Sequence, residues 1–258
     1  MLPAEPMEQH LRRLRRVIAE SEAQGIPEAE PRIALGVAAI DATLGGGLAG
    51  AALHEVSATL PLHFGAAAGF ALTLAARARA PKKQTLWIAT DFSRLEAGAL
   101  YGPGLDQFGL PTERLLIARV ARPVDALFAM EEALKCRALS AVIAELHGEA
   151  ADLTATRRLI LAAREGGALG LLLRPHPSDA PSAAHTRWQV AGYPSEPDGL
   201  GGLGATAFSL SLTRNRRGPS GQWTVAWDHH EHAFTALSRG VAETARDGSD
   251  RAPLIRIG

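Results

Sequence analysis

Leu35-Gly36-Val37-Ala38-Ala39-Ile40-Asp41-Ala42-Thr43-Leu44-Gly45-Gly46-Gly47-Leu48 runs into Gly50-Ala51-Ala52-Leu53-His54-Glu55-Val56. Ile40 and Leu44, four residues apart, fall on one side of a short helical turn and can plug it onto a sheet. Gly45, Gly46 and Gly47 then turn the chain back, since glycine alone takes the required backbone angles without steric cost. Residues 53–57 read as a short aliphatic strand, the first of a series.

Beyond that strand the chain alternates. Residues 66–80 form an apolar, Ala-rich helix, 85–90 a strand, 93–108 helical sequence and 114–119 a strand. A helix over 123–137 follows, with Pro123 at its first position and Val124, Leu127, Phe128 and Leu134 facing inward. Residues 140–146 are a strand. Asp152 or Thr154 caps the next helix, and Gly166-Gly167 stops it before a strand over 168–174. Strands of continuous aliphatics alternating with helices predict a mostly parallel sheet with helices on both faces. From Pro175 the pattern changes. A strand over 186–191, a Gly-rich loop over 194–204, a hairpin of 205–214 with 222–228 and a strand over 233–237 extend that sheet with antiparallel structure.

Two segments flank this core. Residues 7–24 predict an amphipathic helix, with Leu11, Leu14 and Ile18 on one stripe and Arg12, Arg13, Arg15 and Arg16 elsewhere. It is either a solvated surface helix or an arm that docks on a neighbour. Residues 238–258 are polar and expected to be flexible, but end in an apolar tip of Leu254, Ile255 and Ile257. The tip either folds back as an edge strand or adds to a partner's sheet edge or groove. The expected division is therefore 1–30, 31–237 and 238–258.

The apolar fraction of 47% suffices for one substantial core, and aromatics at 5% leave Ala, Leu, Val and Ile to build it. Lys plus Arg equals Asp plus Glu, 27 each, which argues against a dedicated nucleic-acid binder. Locally, Arg214, Arg216 and Arg217 cluster at the hairpin turn; they are either solvated or contact DNA phosphate. The single cysteine, Cys136, permits no intramolecular disulfide and fits a reducing compartment. The beginning of the chain lacks a basic region followed by an apolar run, and the longest aliphatic stretch, 168–173, is far short of a bilayer span. These features predict a cytoplasmic protein with no membrane partner.

The opening stretch resembles the entry to a RecA-type ATPase core, and the expected fold is RecA-like, of the P-loop NTPase type. In an active member the first strand runs into G-x-x-x-x-G-K-[ST], whose amides cradle phosphates, whose Lys neutralises them and whose hydroxyl holds Mg²⁺. Here the stretch is Ala58-Thr59-Leu60-Pro61-Leu62-His63-Phe64-Gly65-Ala66-Ala67-Ala68-Gly69-Phe70, with no Lys and no Gly-Lys-Ser/Thr. A degenerate nucleotide site would comprise Ala58, Gly65, Gly69, Asp91 and Glu145, the two acids standing at strand ends where such enzymes keep water-activating and Mg²⁺-orienting carboxylates. Without a cation-binding loop, the two acids read as polar strand ends meeting water. The expectation is no enzyme, no catalytic residue and no cofactor. His54, His147, His176 and the group His229, His230 and His232 could suggest a metal. Adjacent residues on a strand point to opposite faces, so at most two of the last three could share an ion, and no metal is expected.

Over residues 30–237 the chain resembles the ImuA family. The stretches that carry the resemblance include 53–56, 91–98, 100–105, 122–127, 130–134, 153–159, 171–175 and 186–188. That resemblance implies a RecA-like accessory protein of the bacterial DNA-damage-inducible mutagenesis cassette. It would act beside an inactive Y-family-type polymerase homologue and an error-prone C-family polymerase in SOS translesion synthesis. RecA is a further candidate partner, and DNA is engaged directly or through those partners. Two other readings stand beside it, a divergent RecA-like ATPase in DNA repair and an SOS cell-division inhibitor of the same superfamily.

Overall fold

A computed structural model describes residues 31–148, 151–195, 197, 202 and 204–237. The chain divides into two units, Met1–Pro31 and Arg32–Gly258. The helix expected over 7–24 and the tail over 238–258, with Leu254, Ile255 and Ile257, lie outside the described residues.

Arg32–Ile33 (β1) and Leu48–Ala49 (β2) form a small antiparallel ribbon that brackets helix α1, Ala38–Thr43. Ile40 and Leu44 are buried, as the opening stretch predicts. Asp41 clamps the preceding turn, its two carboxylate oxygens accepting from the Leu35 N–H at 2.7 Å and the Gly36 N–H at 2.9 Å. Gly45, Gly46 and Gly47 all have positive φ, and a Cβ on Gly47 would strike the Ile33 carbonyl.

Among the described residues the main sheet has nine strands, in the order β11-β10-β9-β8-β3-β7-β6-β4-β5. Leu53–Ala58 (β3), Gln84–Thr90 (β4), Leu115–Val120 (β5), Leu139–Glu145 (β6), Leu169–Arg174 (β7) and Thr186–Tyr193 (β8) are parallel. Thr206–Asn215 (β9), Gly221–Asp228 (β10) and Ala233–Ala236 (β11) continue it antiparallel. The architecture is compatible with a RecA-like fold.

Each face carries its own core. Phe64–Arg77 (α2) covers one face, where Phe70 meets Trp188, Phe208 and Phe234 at ring separations of 5.5–6.2 Å. Pro123–Leu134 (α5) and Leu153–Gly166 (α6) cover the other, over Leu53, Ile88, Val142 and Leu172. These two helices cross so closely that a Cβ on Gly166 would run into the backbone of Leu134 and Lys135. Asp152 caps α6, accepting from the Ala155 N–H at 2.7 Å. Among the described residues no helix is long and apolar enough to cross a membrane.

Three expectations need correction. Val124 and Phe128 are exposed, because α5 seats Ala126, Leu127, Met130 and Leu134 on the sheet and one helix face cannot include both stripes. The segment 93–108 is two short helices, Asp91–Ala97 (α3) and Gly102–Gln107 (α4), since Gly98 takes a positive φ that ends the first and Pro103 opens the second. The Ala-rich helix α2 begins at Phe64 and ends at Arg77, because a 3₁₀ turn, Pro61–His63, feeds directly into it.

Candidate functional site

The parallel strands β3, β4, β6 and β7 release the chain at one edge, the position where open α/β sheets bind ligands. A cleft of about 470 Å³ opens there. Phe64 and Gly65 from α2, Trp87 from β4 and Phe92 and Glu96 from α3 form one part of its wall. Glu145 at the end of β6, His147 just after it, and Pro175 and His176 beyond β7 form another.

Glu145 is not the water-facing strand end that sequence suggests; it is buried. Trp87 on β4 pairs with Ile143, two residues before Glu145 on the neighbouring β6, and its Nε1–H donates to Glu145 Oε1 at 2.5 Å. Ser93, in the first turn of α3, links this carboxylate to a chain of hydroxyls and rings. Its Oγ lies 2.8 Å from Thr90 Oγ1 and 2.9 Å from His147 Nδ1. Thr90 caps α3 by accepting from the Ser93 N–H at 3.1 Å, which fixes that serine beside His147. Phe92 stands edge-on to His147 at 5.1 Å. Burial pushes the Glu145 carboxyl above its ordinary range, opposed by the hydrogen bonds from Trp87 and Ser93. Burial also pushes His147 down, with His176 acting in the same direction and Glu96 against it.

An acid whose pKa is raised on folding favours its protonated form. Its contribution to stability is full below the ordinary carboxyl value of 4.5 and is lost as pH rises through the raised value. Glu145→Gln stays neutral and keeps a carbonyl oxygen for Trp87. Urea unfolding from pH 4.5 to 7 should therefore show the variant gaining stability relative to the parent as pH rises. Parallel curves across that range would contradict the burial cost assigned to Glu145.

The residues expected of a degenerate nucleotide site separate. Glu145 and Gly65 line the cleft. Asp91 is exposed at the first residue of α3, where a carboxylate complements the helix N-terminus. Ala58 is buried at the end of β3. Gly69 lies inside α2, under the Phe108 ring, where a Cβ would sit 2.8 Å from Cζ. Neither Gly65 nor Gly69 has the positive φ of an open loop, because both belong to the helix. His63 Nδ1 accepts from the Gly192 N–H at 3.3 Å and so ties the turn to β8. Among the described residues, those lining the cleft include no Lys or Arg. Sequence reasoning did not find Trp87, Ser93 or Phe92; the only local signal was an indole two strands away in sequence from an acid at a strand end.

The other candidates lie elsewhere. Arg214 Nη1 donates to the Ser182 carbonyl at 2.5 Å and Arg216 Nη1 to the Ala183 carbonyl at 3.1 Å, fastening the hairpin turn to the segment before β8. The Arg217 N–H donates to Asn215 Oδ1 at 3.2 Å. His229 Nδ1 donates to the Gln107 carbonyl at 3.0 Å, and the His232 ring stacks on Trp227 at 6.2 Å. His54 is buried within β3, far in register from the strand ends that form the cleft.

Protein ImuA of Caulobacter vibrioides (strain NA1000 / CB15N) is 33% identical over 228 residues, covering 81% of this chain and 90% of that protein. The chain belongs to the ImuA family. Protein ImuA of Caulobacter vibrioides (strain ATCC 19089 / CIP 103742 / CB 15) matches with the same identity and coverage. No family model matches the chain. In this ImuA-family protein, two of the stretches that carried the sequence resemblance turn out to be neighbours. His54, Glu55 and Val56 on β3 pair in parallel with Thr186, Arg187 and Trp188 on β8. Glu55 Oε2 accepts from Arg187 Nε at 2.7 Å, and His54 Nδ1 lies 2.7 Å from Thr186 Oγ1.

Proposed function

We propose that this ImuA-family chain is a non-catalytic, RecA-like accessory protein in DNA-damage-induced mutagenesis. In this reading it helps assemble an error-prone translesion polymerase complex, with a Y-family-type polymerase homologue and a C-family polymerase as partners. Membership of the ImuA family supports the setting. The observation that carries the non-catalytic part is the cleft at the strand ends. Among the described residues its lining holds aromatic rings, two carboxylates and two imidazoles, and no Lys or Arg to neutralise a triphosphate. The chain also enters α2 through a 3₁₀ turn instead of a wide glycine loop, so few amides converge on one point.

Calorimetry with Mg²⁺ and ATP on the whole chain should give no saturable binding in the micromolar range. Micromolar, Mg²⁺-dependent binding, or a turnover that Glu145→Gln abolishes, would favour the divergent ATPase instead. Co-expression with the polymerase homologue should yield a complex that survives size-exclusion chromatography. Separate elution of the two proteins would remove the assembly role.

A further inference from the structure

Half of the large apolar side chains that the described residues expose are gathered around the cleft. Leu60 and Leu62 flank the lining residue Pro61, Leu95 stands beside Glu96 on α3, and Tyr101 follows Leu100. Leu62, Leu95 and Tyr101 are 76%, 78% and 73% exposed, and Leu60 and Phe92 are also more than half exposed. Large apolar side chains collected on one rim, rather than spread singly, mark a surface that meets another molecule.

Inside that rim the chemistry changes. His147 has Phe92 edge-on at 5.1 Å and Phe64 at 6.1 Å, so three rings stand together in the cleft. Glu96 lies near enough to act on the charge of His147, and Glu145 stands two residues before that histidine at the end of β6. Among the described residues neither carboxylate is paired with a Lys or Arg. Two carboxylates beside aromatic rings repel an anion and attract a cation, and the faces of the rings act in the same sense. Nucleic acid would bring phosphate against both carboxylates. A small guanidinium compound would satisfy them but leave the leucine rim uncovered. Arginine suits the interior better than lysine, because its planar head stacks on rings and offers donors to two carboxylates at once, whereas an ammonium is compact and strongly hydrated.

We propose that the cleft and its rim dock a segment of a partner protein in which an arginine, flanked by aliphatic residues, packs against Phe64, Phe92 and His147 and meets Glu96 and Glu145. The aliphatic neighbours cover Leu60, Leu62, Leu95 and Tyr101. A cation in this place also offsets the burial that holds the Glu145 carboxyl above its ordinary range.

The test is calorimetry on the full chain with the peptide acetyl-Leu-Arg-Leu-amide, whose only charge is the guanidinium. Binding should be saturable in the millimolar range or below, and replacing the arginine by citrulline, its neutral isostere, should weaken it about tenfold. Glu96→Gln, at an exposed position of the rim, should erase most of that preference and leave the affinity of the citrulline peptide unchanged. Phe92→Ala, also at an exposed position, should weaken both peptides. Acetyl-arginine methylamide, which lacks the leucines, should bind about tenfold more weakly than the peptide. Equal affinity for the arginine and citrulline peptides would overturn the proposal, as would a preference that survives Glu96→Gln or an absence of saturable binding. Equally tight binding of the single-residue derivative would overturn the partner segment in favour of a small guanidinium compound. Dimerisation of the chain that the peptide reverses would overturn it in favour of a second copy. None of these outcomes depends on whether the chain joins a polymerase complex or binds ATP, which the experiments above measure separately.

Discussion

Glu55→Ala should lower the unfolding free energy by about 3–5 kcal/mol, the cost of leaving a buried charge without its partner. Glu55 is buried in the central strand β3, where two groups donate to its carboxylate and two carbonyls depend on its partner. Ser182 Oγ donates to Oε1 at 2.5 Å and Arg187 Nε to Oε2 at 2.7 Å. The same guanidinium reaches the Ser178 carbonyl at 2.9 Å and the Ala180 carbonyl at 2.8 Å. The pair thus binds the irregular segment before β8 to the middle of the sheet. Removing Glu55 strands Arg187, whose side chain is only 18% exposed, and frees the Ser182 hydroxyl. Typical domains hold about 5–15 kcal/mol in total, so the variant should approach the threshold of folding. Urea titration of Glu55→Ala, Arg187→Met and Glu55→Leu with Arg187→Met would decide it. The double replacement should be much more stable than the sum of the single losses, since it leaves no unpaired charge. Additive losses, or a single loss under 1 kcal/mol, would show that the ion pair does not hold this segment.

His54→Ala should cost about 2–4 kcal/mol at pH 7 and should also remove part of the protein's acid sensitivity. The imidazole is fully buried and both nitrogens are engaged. Nε2 lies 2.9 Å from the Ala49 carbonyl, which can only accept, so Nε2 carries the proton and donates. Nδ1 is then the acceptor and takes the Thr186 hydroxyl proton at 2.7 Å, while Trp188 Nε1–H donates to the same hydroxyl oxygen at 2.8 Å. Every partner is satisfied by the neutral ring. Burial, aided by nearby His185 and Arg32 and opposed by the bond to Ala49, brings its pKa from 6.5 down to about 3. A base with a lowered pKa contributes stability that is complete above 6.5 and is lost as pH falls toward 3, by up to about 1.4 kcal/mol per pH unit. The variant should therefore start lower at pH 7 and converge on the parent by pH 4. Curves that stay parallel from pH 7 to pH 4 would place the acid sensitivity in other groups.

Most elements were legible because their signals are local. Continuous aliphatic runs such as 141–144 and 171–173, alternating with helical segments, read as strands buried on both faces, and both are. The glycines at 45–47 and 167 announce reversals that the backbone angles bear out. The errors have a common source. Val124 and Phe128 satisfy a helical period as well as Leu127 does, and nothing local says which of two apolar stripes a sheet will take. The cleft was half legible. Sequence alone pointed to Glu145 and to a loop without lysine, but it read the carboxylate as solvated.

By itself, then, the sequence determined a chain of alternating strands and helices followed by antiparallel strands, and a first-strand exit with no cation for phosphate. Those are properties of short windows, where period, turn residues and side-chain charge act within a few positions. The tertiary structure alone decided that Glu55 meets Arg187 and that His54 meets Thr186, pairs separated by 132 residues. It also decided that Trp87 covers Glu145 from 58 residues away. Parallel strands are joined by crossovers that carry no register information, so which residues face each other is fixed only when the sheet assembles. Burial of the whole surface selects that register, and with it the chemistry of the cleft.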